Sequence, residues 1–397
     1  MHRAYEYRIY PNASQRKLIE QTFNGCRLVY NLALEVKQRA WKEHQVNRSV
    51  FELNNELPAL KDLCPWLKEI NAHSLQASIA NMGKAYENMY KKRAGYPKFK
   101  NKHSEQSFLC PDGARHIDFE NNRLTIPKMK GIKVVIDREF EGKIKTVAVS
   151  RTKTGKYYVS ITVDPGIKQP EKQPITPETT IGIDVGIKDF AILSTGEKLP
   201  NPRHLKSSLQ RLKVLSRRVS RKKKGSTNRK KAVKRLAIQH EKVANQRKDY
   251  LHKSTMHIVR DSQGTMFCVE DLSVKNMMQN HKIAQAISDV GWGEFFRQLK
   301  YKCDWYGKTY IEIGRFEAST KTCSCCKAIN QTLTLADREW ICASCNTIHD
   351  RDVNAAENIK QFGLLKHNKE KQTRRGSPGE PVESSAIAGA LKQEVLP

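Results

Sequence analysis

The sequence predicts a mixed α/β chain built from more than one domain, and three observations carry that prediction. The chain has 397 residues, beyond the about 250–300 over which a single hydrophobic core usually grows. Runs rich in β-branched residues alternate with longer stretches whose apolar residues recur at helical spacing. A Pro-, Lys- and Gln-rich stretch at residues 166–177 reads as a linker between a front and a back half.

In the front half, Tyr5, Tyr7 and Ile9 alternate with Glu6 and Arg8, and Pro11 ends the run, which predicts a short strand. Asn12 or Ser14 then caps a helix with Leu18, Phe23, Leu28 and Val29 on its apolar face. Helical patterning continues through 32–42, 51–57 and 74–92, with turn signals at Pro58 and Pro65, so residues 11–117 are expected to form a helical domain. From 118 to 165 the character changes. Runs at 124–126, 133–136, 146–151 and 157–163 predict strands, the last two forming a hairpin that turns at 153–155. With residues 1–10 these make a β-rich module, an antiparallel sheet or barrel.

The back half opens with two strands, 180–185 and 189–194. Residues 203–260 follow with twenty Lys and Arg against two acids, Glu241 and Asp249. Leu205, Leu209, Leu212, Leu215 and Val219, then Val233, Leu236, Val243 and Leu251, give two helices broken at Gly225-Ser226. Solvated helices normally mix charges of both signs; this hairpin does not. Strands at 264–270 and 309–313 and helices at 292–306 and 352–362 complete the ordered part, and residues 364–397 are expected to be a disordered tail.

The charge narrows the function. Lys and Arg total 71 against 41 Asp and Glu, a net charge of +30, which points to a polyanion, nucleic acid before an acidic protein or a membrane surface. Mean hydropathy of −0.66 and the lack of a long uncharged apolar run exclude a membrane-spanning helix. The N-terminal MHRAYEYRIYPN has no secretory pattern, so a cytoplasmic, nucleoid-associated protein is expected. A monomer is the expectation for assembly.

Three motifs carry chemistry. Cys323 and Cys326, then Cys342 and Cys345, have the spacing of two zinc knuckles. Four thiolates leave no place for water on Zn²⁺, so this ion would be structural. Cys325 is an alternative to Cys326 that would break the two-residue knuckle; Cys26, Cys64, Cys110, Cys268 and Cys303 read as core residues. Second, Asp184 interrupts the apolar run IGIDVG, Glu270 ends TMFCVE, and Asp352 opens the last helix. A carboxylate in such a run is costly unless paired or bound to metal. Three acids together can hold two Mg²⁺ about 3.5–4 Å apart, clamping the attacking and leaving oxygens of a phosphodiester. Singly, Asp184 also reads as a turn residue and Asp352 as a helix cap. Third, residues 90–102 (YKKRAGYPKFKNK) mix rings and cations, which suits base stacking with phosphate contact. Tyr96, Lys98 and Phe99 are therefore candidate nucleic-acid contacts, and so are Arg217, Arg218, Arg221, Lys222, Lys223 and Lys224 in the basic hairpin. Packing of Tyr96 and Phe99 on the helical domain explains those rings equally well.

In order, GIDVGIKDFAILSTG, VEDLSVKNM, CSCC…CASC and HDRDVNAAENI resemble the TnpB proteins of bacterial insertion sequences, relatives of compact type V CRISPR effectors. YPNASQRKLIEQTFNGCRLVYN, GYPKFKNKHSEQSF and GWGEFFRQLKYKCDWYG extend the resemblance over nearly everything before the tail. It implies an RNA-guided DNA endonuclease with an RNase H-like (RuvC) nuclease domain at 178–317 and 350–363. A zinc ribbon at 318–349 would be inserted in it, behind a β-rich wedge module (1–10 and 118–165) and a helical recognition domain. Guide RNA and double-stranded target DNA are the implied partners, with cleavage beside a short flanking motif. Asp184, Glu270 and Asp352 match the family's three catalytic acids; Asp350 competes for the last role. Lys327 and Asn346 stand where such knuckles commonly carry Gly, and Asn accepts a left-handed backbone more readily than Lys. Alternatives are a nuclease-inactive RNA-guided DNA-binding repressor, a DNA transposase acting without RNA, and a nonspecific nucleic-acid-binding protein.

Overall fold

A computed structural model describes residues 2–111, 115–315, 317–334 and 337–375. The chain divides into two compact units. The first is Met1–Lys168 with Val214–Glu241, and the second is Gln169–Lys213 with Lys242–Pro397.

In the first unit, β1 (Arg3–Tyr10) leads into α1 (Ala13–His44), capped by the Asn12 side chain on the Gln15 amide in a capping box. The two predicted helical runs are one continuous helix that buries Ile19, Phe23, Val29 and Leu34, whereas Leu18 and Leu28 are only half-buried. Helices α2 (Val50–Asn55), α3 (Leu57–Leu63) and α4 (Ala72–Tyr90) follow. Pro58 does not turn the chain as expected. It lies in the first turn of α3, where a missing amide costs nothing. Strands β2 (Gln106–Cys110), β3 (His116–Asp118), β4 (Arg123–Ile126), β5 (Met129–Val135), β6 (Lys143–Arg151) and β7 (Tyr157–Asp164) complete an antiparallel sheet in the order β2-β6-β7-β1-β5-β4-β3. One boundary differs from the expected one: the sheet begins near residue 106, inside the span assigned to helices. Its first strand packs on α1 and α4 through one core, with the rings of Phe23 and Phe108 5.5 Å apart.

The second unit holds β8 (Thr180–Val185), β9 (Asp189–Leu193) and β10 (Lys198–Pro200). The chain then runs through α5 (His204–Ser220) and α6 (Thr227–Met256), of which residues 214–241 belong to the first unit, and α6 ends in a π-turn at His257–Asp261. After β11 (Met266–Glu270) come α7 (Val274–Met277), α8 (Ala284–Val290), α9 (Trp292–Trp305) and β12 (Thr309–Ile313). A small hairpin, β13 (Glu339–Ile341) and β14 (Ile348–Asp350), precedes α10 (Arg351–Arg375). The main sheet has the order β10-β9-β8-β11-β12, with β8, β11 and β12 parallel. Burial on both faces explains the apolar runs of β8 and β11, whereas β12, at the edge, is buried only at Ile311 and Ile313.

Residues 214–241, expected with the nuclease domain, pack in the first unit. There Glu241 accepts from Thr154 Oγ1 at 3.1 Å and pairs with Lys156 at 2.9 Å. The helix expected to stop at Phe362 runs on to Arg375, so residues 364–375 are not tail. Leu364 packs on Ile311, Ile313 and Ile359, and Lys366 Nζ donates to the Glu312 carbonyl at 2.7 Å. Residues 376–397 lie outside the described residues. Among the described residues, no helix is long and apolar enough to cross a membrane.

Candidate active site

Parallel pairing sets Ile183 opposite Val269, so Asp184 and Glu270 come next at the same level on adjacent strands, about 4.8 Å apart in the pairing direction. Both strands are buried until the acid, where each becomes partly exposed. Ligand sites of open α/β sheets form at such carboxyl ends of parallel strands. The third acid reaches this edge on α10, which crosses β8 backbone to backbone at Gly182. A Cβ there would overlap the Ala356 carbonyl oxygen and lie 2.6 Å from the Lys360 nitrogen. Asp352 sits one turn before Ala356, in the first turn of α10.

Asp184 senses the other two acids. Burial, reinforced by the negative charges of Glu270 and Asp352, pushes the Asp184 carboxyl from 3.8 up to about 8, against the opposing pull of Arg351. An acid that resists ionisation among other acids is a site short of positive charge. The carboxylates are nonetheless held apart: no oxygens from all three lie within 4.8 Å of one another. Glu270 Oε1 accepts from Ser319 Oγ, while Asp352 is engaged by Arg338 at 3.0 Å and Arg351 at 2.9 Å.

Asp350 has a different job. Its Oδ1 accepts from the backbone amides of Asp352 and Val353 at 3.0 and 3.1 Å, the pattern of an N-cap. Its Oδ2 takes Lys198 at 2.5 Å, and these partners hold the carboxyl below its usual range. The carboxylates that act most on Asp184 are Glu270 and Asp352.

The sulfur atoms of Cys323, Cys326, Cys342 and Cys345 all lie within 4.8 Å of one another, and no cysteine of the chain is in a disulfide. Each knuckle closes through a backbone bond, Lys327 N to Cys323 O at 3.0 Å and Asn346 N to Cys342 O at 2.8 Å. Lys327 and Asn346 both adopt the left-handed conformation, φ 67° and 57°, so the knuckle turn forms without glycine. Cys325 falls outside this tetrad. It groups instead with Cys323 and the buried His349, whose Nε2 lies 3.1 Å from Cys323 Sγ. Four converging thiols suit a tetrahedral thiophilic ion. Of the cysteines read as core, Cys26, Cys110, Cys268 and Cys303 are buried and Cys64 is half-buried.

The candidate nucleic-acid contacts are scattered. In the first unit, Tyr96 and Phe99 remain about half exposed, though the Tyr96 ring meets Tyr86 edge-on at 5.7 Å. Within the hairpin, Arg218 and Lys222 line a recess of about 160 Å³ with Asn228, Lys231 and Arg235, and among the described residues no acid lines it. Arg217, Arg221, Lys223 and Lys224 are exposed outside it. Sequence reasoning missed Lys231 and Arg235, and also Ser319, Arg338, Asn354 and Asn358 around the acids. Asn354 and Asn358, four apart and so on one face of the start of α10, are the one signal that was available.

Residues 158–281 match the family model described as "Probable transposase", residues 292–359 a "Cas12f1-like, TNB domain" and residues 1–45 a "Helix-turn-helix domain". Residues 1–45 here form one strand and one long helix. A Cas12f1 chain solved in complex with sgRNA and target DNA superposes with a TM-score of 0.56 at 14% identity, covering 91% of this chain and 98% of that one. The fold is therefore that of a multidomain α/β protein of the compact Cas12f1 type. The "Putative RNA-guided DNA endonuclease" of Streptomyces pristinaespiralis is 39% identical over 370 residues, 91% of this chain and 89% of the relative. The "Putative RNA-guided DNA endonuclease InsQ" of Escherichia coli (strain K12) is 28% identical over 381 residues, 91% and 92% of the two chains. The "TnpB-like protein L770" of Acanthamoeba polyphaga mimivirus is 25% identical over 259 residues, 62% and 47% of the two chains. The chain belongs to the TnpB family.

Proposed function

We propose that this protein is an RNA-guided DNA endonuclease of an insertion sequence, cutting target DNA beside a short flanking motif by two-metal-ion hydrolysis. The observation that carries the reading is the push of the Glu270 and Asp352 charges on the Asp184 carboxyl, three acids drawn from distant parts of the sequence to one sheet edge. In this reading the second unit contains an RNase H-like (RuvC) nuclease domain, residues 318–349 are a zinc ribbon, and the first unit supplies the wedge and recognition surfaces. The partners are a guide RNA and double-stranded target DNA, and the protein works in the bacterial cytoplasm on the nucleoid.

Asp184, Glu270 and Asp352 would hold Mg²⁺. Their fit rests on the Asp184 carboxyl, which burial and then the negative charges of Glu270 and Asp352 push up to about 8. When bound there, Mg²⁺ supplies the positive charge that lets a phosphodiester approach three acids and polarises it for attack by water. The chain's own residues do the rest. The parallel strands fix Asp184 and Glu270 side by side, α10 carries Asp352 to them, and Arg338 and Arg351 hold Asp352 in place. Cys323, Cys326, Cys342 and Cys345 would hold a structural Zn²⁺. The cationic hairpin supports backbone contact to RNA or DNA, while base pairing selects the target. Sequencing the RNA that co-purifies with the protein tests the guide: one defined RNA whose end directs binding to matching DNA is expected. A protein free of RNA that still cuts chosen DNA would overturn the proposal in favour of a transposase.

A further inference from the structure

Between β12 and the first knuckle, the described residues 317–324 form a strap that touches both the acids and the cysteine cluster. Ser319 is buried, and its hydroxyl donates to Glu270 Oε1. Its carbonyl accepts from Asn358 Nδ2 at 2.8 Å, and the same amide reaches the Thr322 carbonyl at 2.6 Å. One turn earlier on α10, Asn354 Nδ2 donates to Thr322 O at 2.8 Å and its Oδ1 accepts from the Ser324 amide at 2.9 Å. Between the residues so gripped lies Cys323, fully buried in the tetrad.

This arrangement is expensive, which is the argument that it has a purpose. Asn354 and Asn358 are 2% and 0% exposed, and Asn358 Oδ1 has no partner among the described residues. An unsatisfied buried polar atom normally costs about 1–3 kcal/mol, and an apolar pair would pack α10 onto a loop without that cost. What an apolar pair would not supply is direction. Asn358 fixes the peptide of Ser319, Ser319 fixes one oxygen of Glu270, and α10, which carries Asn358, also carries Asp352 six residues earlier. From the other side, Arg338 of the cysteine-bearing segment donates to Asp352, and its carbonyl accepts the Arg351 amide at 2.8 Å. Two of the three acids are thus oriented by residues that flank the cysteine knuckles.

We propose that Ser319 is a positioning residue for Glu270, held by Asn358, and that metal in the cysteine tetrad anchors the strap which sets the separation of Glu270 from Asp352. The ribbon then tunes the nuclease centre as well as stabilising its own fold. This rests on the reading of Asp184, Glu270 and Asp352 as the Mg²⁺ site. Hydrogen-bond partners one step outside a metal site typically change its affinity 10–100-fold, so Ser319→Ala should raise the Mg²⁺ needed for half-maximal cleavage by about tenfold or more.

The test uses the full-length, RNA-loaded protein. Ser319→Ala and the hydroxyl-retaining Ser319→Thr are compared for zinc content, for guide-dependent DNA binding and for the Mg²⁺ dependence of cleavage. In parallel, the upward thermal shift produced by Mg²⁺ alone is followed on the RNA-free chain, a readout independent of activity. The expected result is unchanged zinc and DNA binding, a right-shifted Mg²⁺ curve and a weakened thermal response for Ser319→Ala, with recovery in excess Mg²⁺ and in Ser319→Thr. An Ser319→Ala protein with the parental Mg²⁺ curve would overturn the proposal, as would equal impairment of both variants. If instead Asp184→Ala cleaves normally, the underlying reading of the acids fails, independently of Ser319.

Discussion

Replacing Asp184 by Asn should stabilise the Mg²⁺-free protein, and the gain should grow with pH. In the folded chain the Asp184 carboxyl keeps its proton to about 8 instead of 3.8, first because it is enclosed and then because Glu270 and Asp352 repel its charge. The folded state therefore binds this proton more tightly than the unfolded chain does, and stability falls as pH rises from 3.8 toward about 8, levelling off above. Each pH unit inside that window costs about 1.4 kcal/mol, so about 3 kcal/mol is lost between roughly pH 5 and pH 7. Asn has nearly the same shape and cannot ionise, so it escapes the loss. The assay is thermal unfolding of RNA-free parent and variant in Mg²⁺-free buffer over that range. The transition of the second unit should separate in favour of Asp184→Asn by roughly 5–10 °C as pH rises, at about 2–4 °C per kcal/mol. Adding Mg²⁺ should recover the parent, by about 2.7 kcal/mol at a hundredfold excess over its dissociation constant, and leave the variant unmoved. A separation that does not change with pH, or a variant less stable than the parent near neutrality, would refute the reasoning.

Other perturbations test other parts of the account. Gly182→Ala should lower the melting temperature of the second unit and impair cleavage, because α10 must shift off β8; overpacking of this kind costs about 1–3 kcal/mol or more, read by thermal unfolding. Cys345→Ser should reduce bound zinc, measured by atomic absorption, and make residues 318–349 sensitive to protease while the first unit stays intact. Neutralising Arg218, Lys222, Lys231 and Arg235 together should weaken nucleic-acid binding almost equally for all sequences, and lower the salt slope of log affinity by about three to four for a duplex.

Local signals in the sequence were sufficient wherever a single segment decides the outcome. The strand 309–313 and the hairpin turn at 153–155 were legible because period-two alternation and turn chemistry are short-range. The cysteine tetrad was legible because knuckle spacing is itself the geometry. What remained hidden depends on distant partners. That residues 214–241 pack in the first unit follows from Glu241 meeting Thr154 and Lys156, a pairing no local pattern announces. The helix beyond Phe362 reads as tail by composition, yet Leu364 and Lys366 find partners on β12. The motif favours Asp352 over Asp350 for the third acid, but the part each plays in the fold was hidden: Asp350 caps α10, and Asp352 adds its charge to the environment of Asp184. Ser319, one hydroxyl in a polar loop, gave no signal at all before its contact with Glu270.

The most direct test of the central claim is cleavage of a plasmid carrying the guide-matched sequence by RNA-loaded protein in Mg²⁺, comparing the parent with Asp184→Ala. The account predicts that the variant binds the target with parental, guide-dependent affinity and loses cleavage by at least about a hundredfold. An Asp184→Ala protein that cuts the same target at the parental rate would contradict it.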